Sequence, residues 1–142
     1  MRRYLLDSNA LNAFVDHRFP LTDRVREARM RGDRIGTCEP VVAEMFYGLE
    51  FSASKAENMV RLKRGLSQIR SWAFDRSAAM EYGRLAAELK RRGRNMQTVD
   101  MMIAAVAFSL GNTVVVSTDS DLSDIPGLAV ENWAAMATDE PA

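Results

Sequence analysis

Short apolar runs alternate with longer segments of helical periodicity along this chain, and the alternation constrains the fold more than any other feature of the sequence. Four runs have the length and apolar content of strands: Arg3 to Leu6, Arg34 to Cys38, Val114 to Ser117 and Leu128 to Val130. Strands that alternate with helices are typical of an α/β domain, in which the sheet is mainly parallel. The sequence therefore predicts an α/β fold.

Helical segments are predicted between and beyond these strands. One begins after Asn9, and Pro40 suits the first turn of another, because the N–H that proline lacks has no partner there in any case. Apolar residues at spacings of three and four predict two further helices. One passes through Met59, Leu62, Leu66 and Ile69, and the other through Ala78, Tyr82, Leu85 and Leu89.

Capping residues mark the ends of the later helices. Asp75 is a candidate N-cap for the second of these two helices, and Gly93 is a candidate stop. The segment from Met101 to Leu110 is apolar nearly all round, which is typical of a buried helix. Thr98 is available to cap that helix and Gly111 to end it.

The length and composition are those of one globular domain. The chain has 142 residues, of which 47% are hydrophobic and 27% are charged. No segment approaches the roughly 18 apolar residues of a membrane span, and Asp7 interrupts the N-terminal apolar run too early for a signal peptide. We therefore expect a cytoplasmic protein without a membrane role. With one cysteine, Cys38, and one histidine, His17, carboxylates are the main chemistry left to the chain.

Charge is distributed unevenly along the chain, although the formal net charge is zero. All 19 Lys and Arg lie within residues 1–94, whereas residues 95–142 contain acids but neither Lys nor Arg. Such basic groups could hold a phosphate backbone around an acidic centre, or they could be solvated helix faces, and charge alone does not decide between the two. The groups are Arg18, Arg24, Arg26, Arg29, Arg31 and Arg34; Arg61, Lys63, Arg64 and Arg70; and Lys90, Arg91, Arg92 and Arg94.

Carboxylates stand beside apolar sequence at four places. Asp7 and Asp119 each follow a predicted strand, Asp100 lies in the first turn of the buried helix, and Glu44 lies on the inner side of an earlier helix. Because ligands bind at the carboxyl edge of an open parallel sheet, these side chains could meet there. Buried carboxylates are costly unless they are paired, and oxygen ligands alone favour Mg²⁺ or Mn²⁺ over zinc. The pattern predicts a divalent-cation site, with Asp121 beside Asp119 as a further candidate.

Each acid also has a structural alternative. Asp100 could merely complement a helix N-terminus, and Asp7 with Asn9 could form an ordinary turn between strand and helix. Glu44 could be a solvated helical glutamate. The acidic turn of Asp119, Asp121 and Asp124 could be a polar loop of the kind that many α/β folds contain.

Four motifs, in order along the chain, resemble those of the PIN-domain ribonucleases, and within them the VapC-type toxins of bacterial toxin–antitoxin pairs. The motifs are LLDSNAL, PVVAEMFYGLE, VDMMIAAVA and STDSDLSDIPGLAVENW, and the resemblance runs from Leu5 to Trp133. Two positions depart from the family pattern. Ser8 stands where Thr is commoner and keeps the hydroxyl, and Leu122 stands where Phe is common and changes only packing.

The resemblance implies a fold and a domain extent. The fold is PIN-like and three-layered, an α/β arrangement in which helices flank a mainly parallel central sheet of four to five strands. A single domain would cover residues 1–136, and residues 137–142 would form a frayed C-terminal tail.

The resemblance also implies an activity with its residues and partners. The activity is hydrolysis of RNA phosphodiester bonds with Mg²⁺, or Mn²⁺, as cofactor. The partners are an RNA substrate, a cognate VapB-type antitoxin and a second copy of the chain in a homodimer. The catalytic, metal-binding acids would be Asp7, Glu44, Asp100 and Asp119, with Asp121 as the alternative fourth ligand. The residues that could hold them through hydrogen bonds are Ser8, Asn9 and Ser117.

Four aromatic residues on or near the early helices are candidates for an antitoxin-docking surface, with core packing as the alternative. They are Phe14, Phe46, Tyr47 and Phe51.

Three other functions stay open from the sequence. A receiver-like phospho-acceptor domain also gathers acids and Mg²⁺ at a sheet edge, but the chain has no lysine after Lys90 to contact a phosphoryl group. A PIN-like module could bind RNA or a partner without cleaving, although such modules normally lose acids and all four acidic positions are filled here. A solitary RNA-processing nuclease would keep the chemistry and lack the antitoxin.

Overall fold

A five-stranded parallel sheet forms the centre of the computed structural model, which describes residues 1–134. The predicted tail, residues 137–142, and the domain end at residue 136 lie outside the described residues. The strands are β1 (Arg3–Leu6), β2 (Arg34–Cys38), β3 (Arg70–Trp72), β4 (Thr113–Val116) and β5 (Ala129–Glu131).

The strands follow the order β3-β2-β1-β4-β5, so the first strand of the chain is central. Arg3 pairs with Arg34 on one side and with Thr113 on the other, and every neighbouring pair is parallel. A receiver domain has the order 2-1-3-4-5. The observed order therefore excludes the receiver alternative.

Within residues 1–134, seven helices flank the sheet and give the three-layer arrangement that the resemblance implies. The first helix contacts the second and fourth, the fifth packs on the sixth, and the third contacts members of both groups. None of the helices in this part of the chain is long and apolar enough to cross a membrane. The helices are α1 (Ser8–Val15), α2 (Leu21–Met30), α3 (Glu39–Leu49), α4 (Lys55–Leu66), α5 (Arg76–Arg91), α6 (Thr98–Leu110) and α7 (Ser120–Ser123).

The core is formed where the apolar face of each helix meets the central strands. Leu5, Leu6 and Val115 are fully buried, which is expected for strands covered on both faces. From α6, Ile103 and Val106 add to the same core. Burial on both faces explains why β1 and β4 read as continuous apolar runs rather than as alternating ones.

The strand and helix-end predictions are confirmed at most positions. The strands β1 and β2 have the predicted bounds, and β4 and β5 are each displaced by one residue from the prediction. Asp75 caps α5 by accepting a hydrogen bond from the Ala78 N–H. Gly93 follows that helix with a φ of 70°. Three elements were missed, one of which is the four-residue α7, whose residues were predicted as part of an acidic turn. The strand β3 has three residues and little burial, and α2 is dominated by charged residues that hide its apolar positions.

Three local predictions were wrong. Helix α1 begins at Ser8 rather than after Asn9, because the Asp7 side chain caps its first turn. The N-cap of α6 is Gln97, so Thr98 is the first helical residue and does not cap. Helix α4 ends at Leu66, and Ile69 packs against the core from the segment that follows.

Gly65 and Gly83, each within a helix, provide a matched test of helix packing. A Cβ on Gly65 of α4 would lie 2.7 Å from Val15 Cγ2 of α1, whereas a Cβ on Gly83 of α5 would meet no atom of residues 1–134 within 4 Å. The short, β-branched Val15 side chain has little freedom to move away. We expect Gly65→Ala to lower the free energy of unfolding by roughly 1–3 kcal/mol.

The control variant Gly83→Ala should raise the free energy of unfolding by up to about 1 kcal/mol, because alanine is the better helix former and no contact opposes it. Urea denaturation of both variants in parallel checks the pair. If Gly65→Ala were as stable as Gly83→Ala, the close packing of α4 on α1 would be contradicted.

Candidate metal-binding active site

The first acid of the site, Asp7, lies at the carboxyl end of β1 and is only 5% exposed. Its Oδ1 accepts a hydrogen bond of 2.8 Å from the Ala10 N–H, which makes it the N-cap of α1. The Ser117 hydroxyl also bonds to this carboxylate. Burial raises the pKa of Asp7, with smaller upward contributions from Asp119 and Glu44, while the two hydrogen bonds oppose the rise.

A second acid follows the neighbouring strand. Asp119 comes after β4, and its Oδ1 accepts from the Asp121 N–H at 2.8 Å as the N-cap of α7. The Asp119 N–H donates to Ser117 Oγ at 2.9 Å. The hydroxyl of Ser117 therefore links the backbone of Asp119 to the carboxylate of Asp7, and this one buried serine joins the ends of β1 and β4.

The third acid, Asp100, lies half-buried in the first turn of α6. It can place a carboxylate oxygen within 4.8 Å of oxygens from both Asp119 and Asp121. Its pKa is raised to about 6, first by burial, then by the charges of Asp119, Asp7 and Glu44, and by a hydrogen bond with Asp119. Clustered carboxylates repel one another, and a bound cation would neutralise that repulsion and favour their ionised forms.

The fourth acid, Glu44, is half-buried on α3, a helix that contacts both α1 and α6. The Ser8 hydroxyl donates a hydrogen bond to Glu44 Oε1. Since Ser8 is the first residue of α1 and follows Asp7 directly, this bond ties the glutamate to the same edge of the sheet.

The structure brings the predicted acids to one edge of the sheet, but with unequal spacing. Among residues 1–134, the group of three acids close enough to share an ion consists of Asp100, Asp119 and Asp121. Asp7 and Glu44 lie outside that group and act on Asp100 through their charges. The sequence left Asp119 and Asp121 as alternatives for one ligand position, and the structure places both beside Asp100.

The three residues proposed to hold the carboxylates have different surroundings. Ser8 and Ser117 make the hydrogen bonds described above. Asn9 is exposed, and its side chain makes no hydrogen bond to any carboxylate of the described chain; it lines a pocket next to the site.

One contributing residue was missed from the sequence. The fully buried Thr37 of β2 donates from Oγ1 to the carbonyl of Leu6 at 2.8 Å. This bond fixes the last residue of β1, directly before Asp7. A hydroxyl within an otherwise apolar, buried strand was the available signal, because such a group needs a partner.

The donor set fits a hard divalent cation. Carboxylate oxygens are the ligands that Mg²⁺ and Mn²⁺ prefer. The possible soft ligand, Cys38, is buried with its pKa raised to about 12 by desolvation, so its thiol stays protonated at neutral pH. The histidine, His17, is exposed beyond the end of α1.

Removing the Ser117 hydroxyl tests its linking role. We expect Ser117→Ala to keep the fold and to lower divalent-cation affinity about 10- to 100-fold, because the Asp7 carboxylate loses a partner that holds it. Isothermal titration with Mn²⁺ measures the change. The matched control is Ser123→Ala, which removes an exposed hydroxyl that donates to the carbonyl of Ser120 and makes no other side-chain hydrogen bond within residues 1–134. Equal affinities in the two variants would contradict the assigned role.

Many of the basic residues make surface ion pairs. Arg18 and Arg61 both bond to Asp16, at 2.8 and 2.9 Å. Arg84 and Arg92 both pair with the same glutamate, Glu88. Exposed pairs of this kind contribute little to stability, so these arginines remain free to exchange partners with an external phosphate.

Comparison with known proteins finds similarity over nearly the whole chain. Residues 4–128 match the family described as PIN domain. The tRNA(fMet)-specific endonuclease VapC of Salmonella typhimurium is 28% identical over 134 residues, which cover 94% of this chain and 99% of that protein. Ribonuclease VapC2 of Rickettsia felis is 29% identical, with 92% of this chain and 97% of that protein covered.

A solved structure gives the same result for the fold. The crystal structure of VapBC2 from Rickettsia felis, bound to a DNA fragment from its promoter, superimposes with a TM-score of 0.84 at 26% identity. The match covers 92% of this chain and 98% of that one.

Proposed function

The chain belongs to the PIN domain family, and from that premise we propose that it is the toxin of a toxin–antitoxin pair, an endoribonuclease that uses Mg²⁺, or Mn²⁺, to hydrolyse RNA phosphodiester bonds. The observation that carries the proposal is the convergence of Asp7, Glu44, Asp100 and Asp119 on one edge of the sheet, with Asp121 beside them. The near-complete overlap with two proteins named as ribonuclease or endonuclease supports the same activity.

The proposed chemistry assigns a role to each acid. Asp100, Asp119 and Asp121, whose oxygens are close enough to share an ion, would hold the cation together with Asp7. Glu44 would complete the ligands or orient the attacking water. When bound, such a cation polarises a phosphate oxygen and lowers the pKa of a water. Ser8 and Ser117 keep the carboxylates in position through hydrogen bonds, so that little reorganisation is needed when the substrate arrives.

The substrate class follows from the shape of the site. Asp121 is exposed and Asp100, Asp119 and Glu44 are half-buried, so the acids are accessible from solvent. A scissile phosphate reaches such an edge most readily from a single-stranded loop, whose backbone is not held in a duplex. The arginines with exchangeable ion pairs would contribute a salt-dependent affinity for that backbone.

The proposal is tested by incubating total cellular RNA with the purified protein and Mg²⁺ or Mn²⁺, beside an EDTA control, and mapping the new ends. Discrete, metal-dependent ends would establish the nuclease and identify its target. Cleavage that is absent in every metal condition would favour a PIN-like module that only binds.

The proposed protein partner is a VapB-type antitoxin. Tyr47 and Phe51 are 67% and 74% exposed and pack against each other with ring centres 5.2 Å apart, so they form an exposed aromatic pair next to α3. Phe14 is buried and Phe46 is partly buried against the core, which leaves the exposed pair as the docking candidate among the four aromatics.

Co-expression with the product of a neighbouring small gene tests the pairing. A toxin should co-purify with that product and lose its cleavage activity in the complex, whereas a solitary processing nuclease should remain active and alone. The homodimer and the cytoplasmic location stay predictions; light scattering of the isolated protein measures the former, and cell fractionation the latter.

A further inference from the structure

A pocket of about 290 Å³ adjoins the acidic edge, and none of the five acids of the proposed metal site lines it. The start of α1, the segment before α2 and the residues after β4 enclose it. Asn9 of its lining lies two residues after Asp7, and Ser117 and Thr118 are the two residues before Asp119. Residues that closely precede or follow Asp7 and Asp119 in the sequence therefore form part of the pocket wall.

The lining combines an aromatic ring with unpaired polar groups. Phe19 is 61% exposed, and its ring contacts no other aromatic ring in the described chain. The side chains of Asn9, Asn12 and Thr118 also line the pocket and make no hydrogen bond to any residue of the range 1–134. Val116 and Ala13 contribute apolar surface between them.

We propose that this pocket binds one unpaired nucleobase of the RNA, from a nucleotide next to the cleaved phosphate, with the base stacked on Phe19 and its edge recognised by Asn12 and Thr118. The inference rests on the proposed function, because it names the part of the substrate that lies beside the acids. Single-stranded RNA is recognised by such splayed bases, which stack on aromatic rings and bond through their edges.

The dimensions and chemistry favour a base over a protein segment. The volume is at the lower limit of the roughly 300–1,000 Å³ range for small-molecule pockets, so it suits a single planar group. An asparagine amide offers two donors and an acceptor, the pattern that pairs with a base edge. Arg18, also in the lining, has an exposed side chain that pairs with Asp16, and it would bind the phosphate of the same nucleotide.

The first measurement is equilibrium binding in EDTA, where cleavage does not interfere. Fluorescence anisotropy would follow four labelled homopolymeric RNA oligonucleotides and an abasic strand of equal length. We expect Phe19→Ala to weaken the preferred homopolymer about 5- to 150-fold, the range for loss of one stacked base. The abasic strand should bind the variant and the wild type equally.

Two further variants control for misfolding and for the general loss of an exposed apolar side chain. Phe19→Trp keeps a stacking ring and should restore binding. Met80→Ala removes an exposed apolar side chain that does not line the pocket and should leave RNA binding unchanged. Asn12→Ala should alter the ranking of the four homopolymers, because it removes an amide that meets the base edge.

Cleavage kinetics separate this inference from the proposed function. Phe19→Ala should raise KM with kcat retained, since the ring does not touch the reacting atoms. If the wild type cleaves and Phe19→Ala matches it in both binding and cleavage, the pocket inference is overturned and the nuclease stands. If no metal supports cleavage but the binding differences appear, the base site stands and the proposed function fails. If Phe19→Ala loses only the antitoxin while RNA binding is unchanged, the pocket is a protein site and the inference is overturned.

Discussion

Asp100→Asn should abolish metal-dependent RNA cleavage while leaving the protein folded. A bound cation contributes several kcal/mol of transition-state stabilisation, and each 1.36 kcal/mol corresponds to a tenfold change in rate. Asp100 lies within reach of both Asp119 and Asp121, so a neutral amide there would remove a carboxylate from the proposed cation site. The expected loss in kcat/KM is about a thousandfold or more, measured on a short RNA that contains the mapped cleavage site.

The same substitution should not destabilise the metal-free protein. Burial and the neighbouring carboxylates raise the pKa of Asp100 to about 6, so the ionised carboxylate that is present at neutral pH lowers the stability of the fold. Asparagine has nearly the same shape and carries no charge. In EDTA, the urea midpoint of Asp100→Asn should equal or exceed that of the wild type, which separates loss of catalysis from loss of structure.

Asp7→Asn should give the same loss of cleavage, for a related reason. The amide oxygen can still accept from the Ala10 N–H and keep the N-cap of α1, but the negative charge at the end of β1 is lost. The matched control is Asp124→Asn, which neutralises an exposed acid at the end of α7 that pairs with Arg94 at 3.6 Å. Cleavage should survive in that control. Retained activity in both Asp7→Asn and Asp100→Asn would overturn the metal-hydrolase mechanism.

The parts of the fold that the sequence predicted are those where local pattern and burial agree. The strands β1, β2 and β4 are buried on most of their length, and burial on both faces leaves a continuous apolar run that can be recognised. Asp7 and Asp119 could be placed at one edge because each follows such a strand, and parallel strands end at the same side. The order of the four motifs then indicated the family.

The missed elements are those whose conformation depends on tertiary contacts. The strand β3 has three residues and is held by pairing with β2, from Gly36 opposite Arg70 to Cys38 opposite Trp72. Helix α2 buries only Leu21, Val25 and Ala28 among charged neighbours. Periodicity cannot identify elements this short or this polar.

The distances between the acids could not be predicted from the sequence pattern either. Nothing in the spacing of Asp119 and Asp121 shows that both can reach Asp100, because this depends on α7 turning directly after β4. The link through Ser117 and the support from Thr37 likewise depend on contacts between strands that are distant in the sequence. The pocket at Phe19 forms only when the segment before α2 lies against α1.

Cleavage should also fall steeply as the pH decreases below about 6. Asp100 must lose its proton to bind a cation, and its pKa in the metal-free fold is raised to about 6 from the ordinary 3.8. The pKa of Asp7 is raised as well, mainly by burial, so a second proton can compete with the ion. At subsaturating Mn²⁺, kcat/KM should drop about tenfold per pH unit for each such proton. Saturating Mn²⁺ should move the fall to lower pH, because the ion then outcompetes the protons.

The stability of the metal-free protein should fall as the pH rises, whereas cleavage should rise over the same interval. Between pH 3.8 and about 6 the folded state retains a proton on Asp100 that the unfolded chain has released. Because the folded state binds more protons in this interval, its stability from this group falls as the pH rises, and it stays low above pH 6. Urea denaturation in EDTA measures this trend, and Asp100→Asn should lack the contribution of residue 100. Two results together would contradict this role of Asp100. They are a kcat/KM that stays constant down to pH 5, and a urea stability that varies with pH identically in the wild type and in Asp100→Asn.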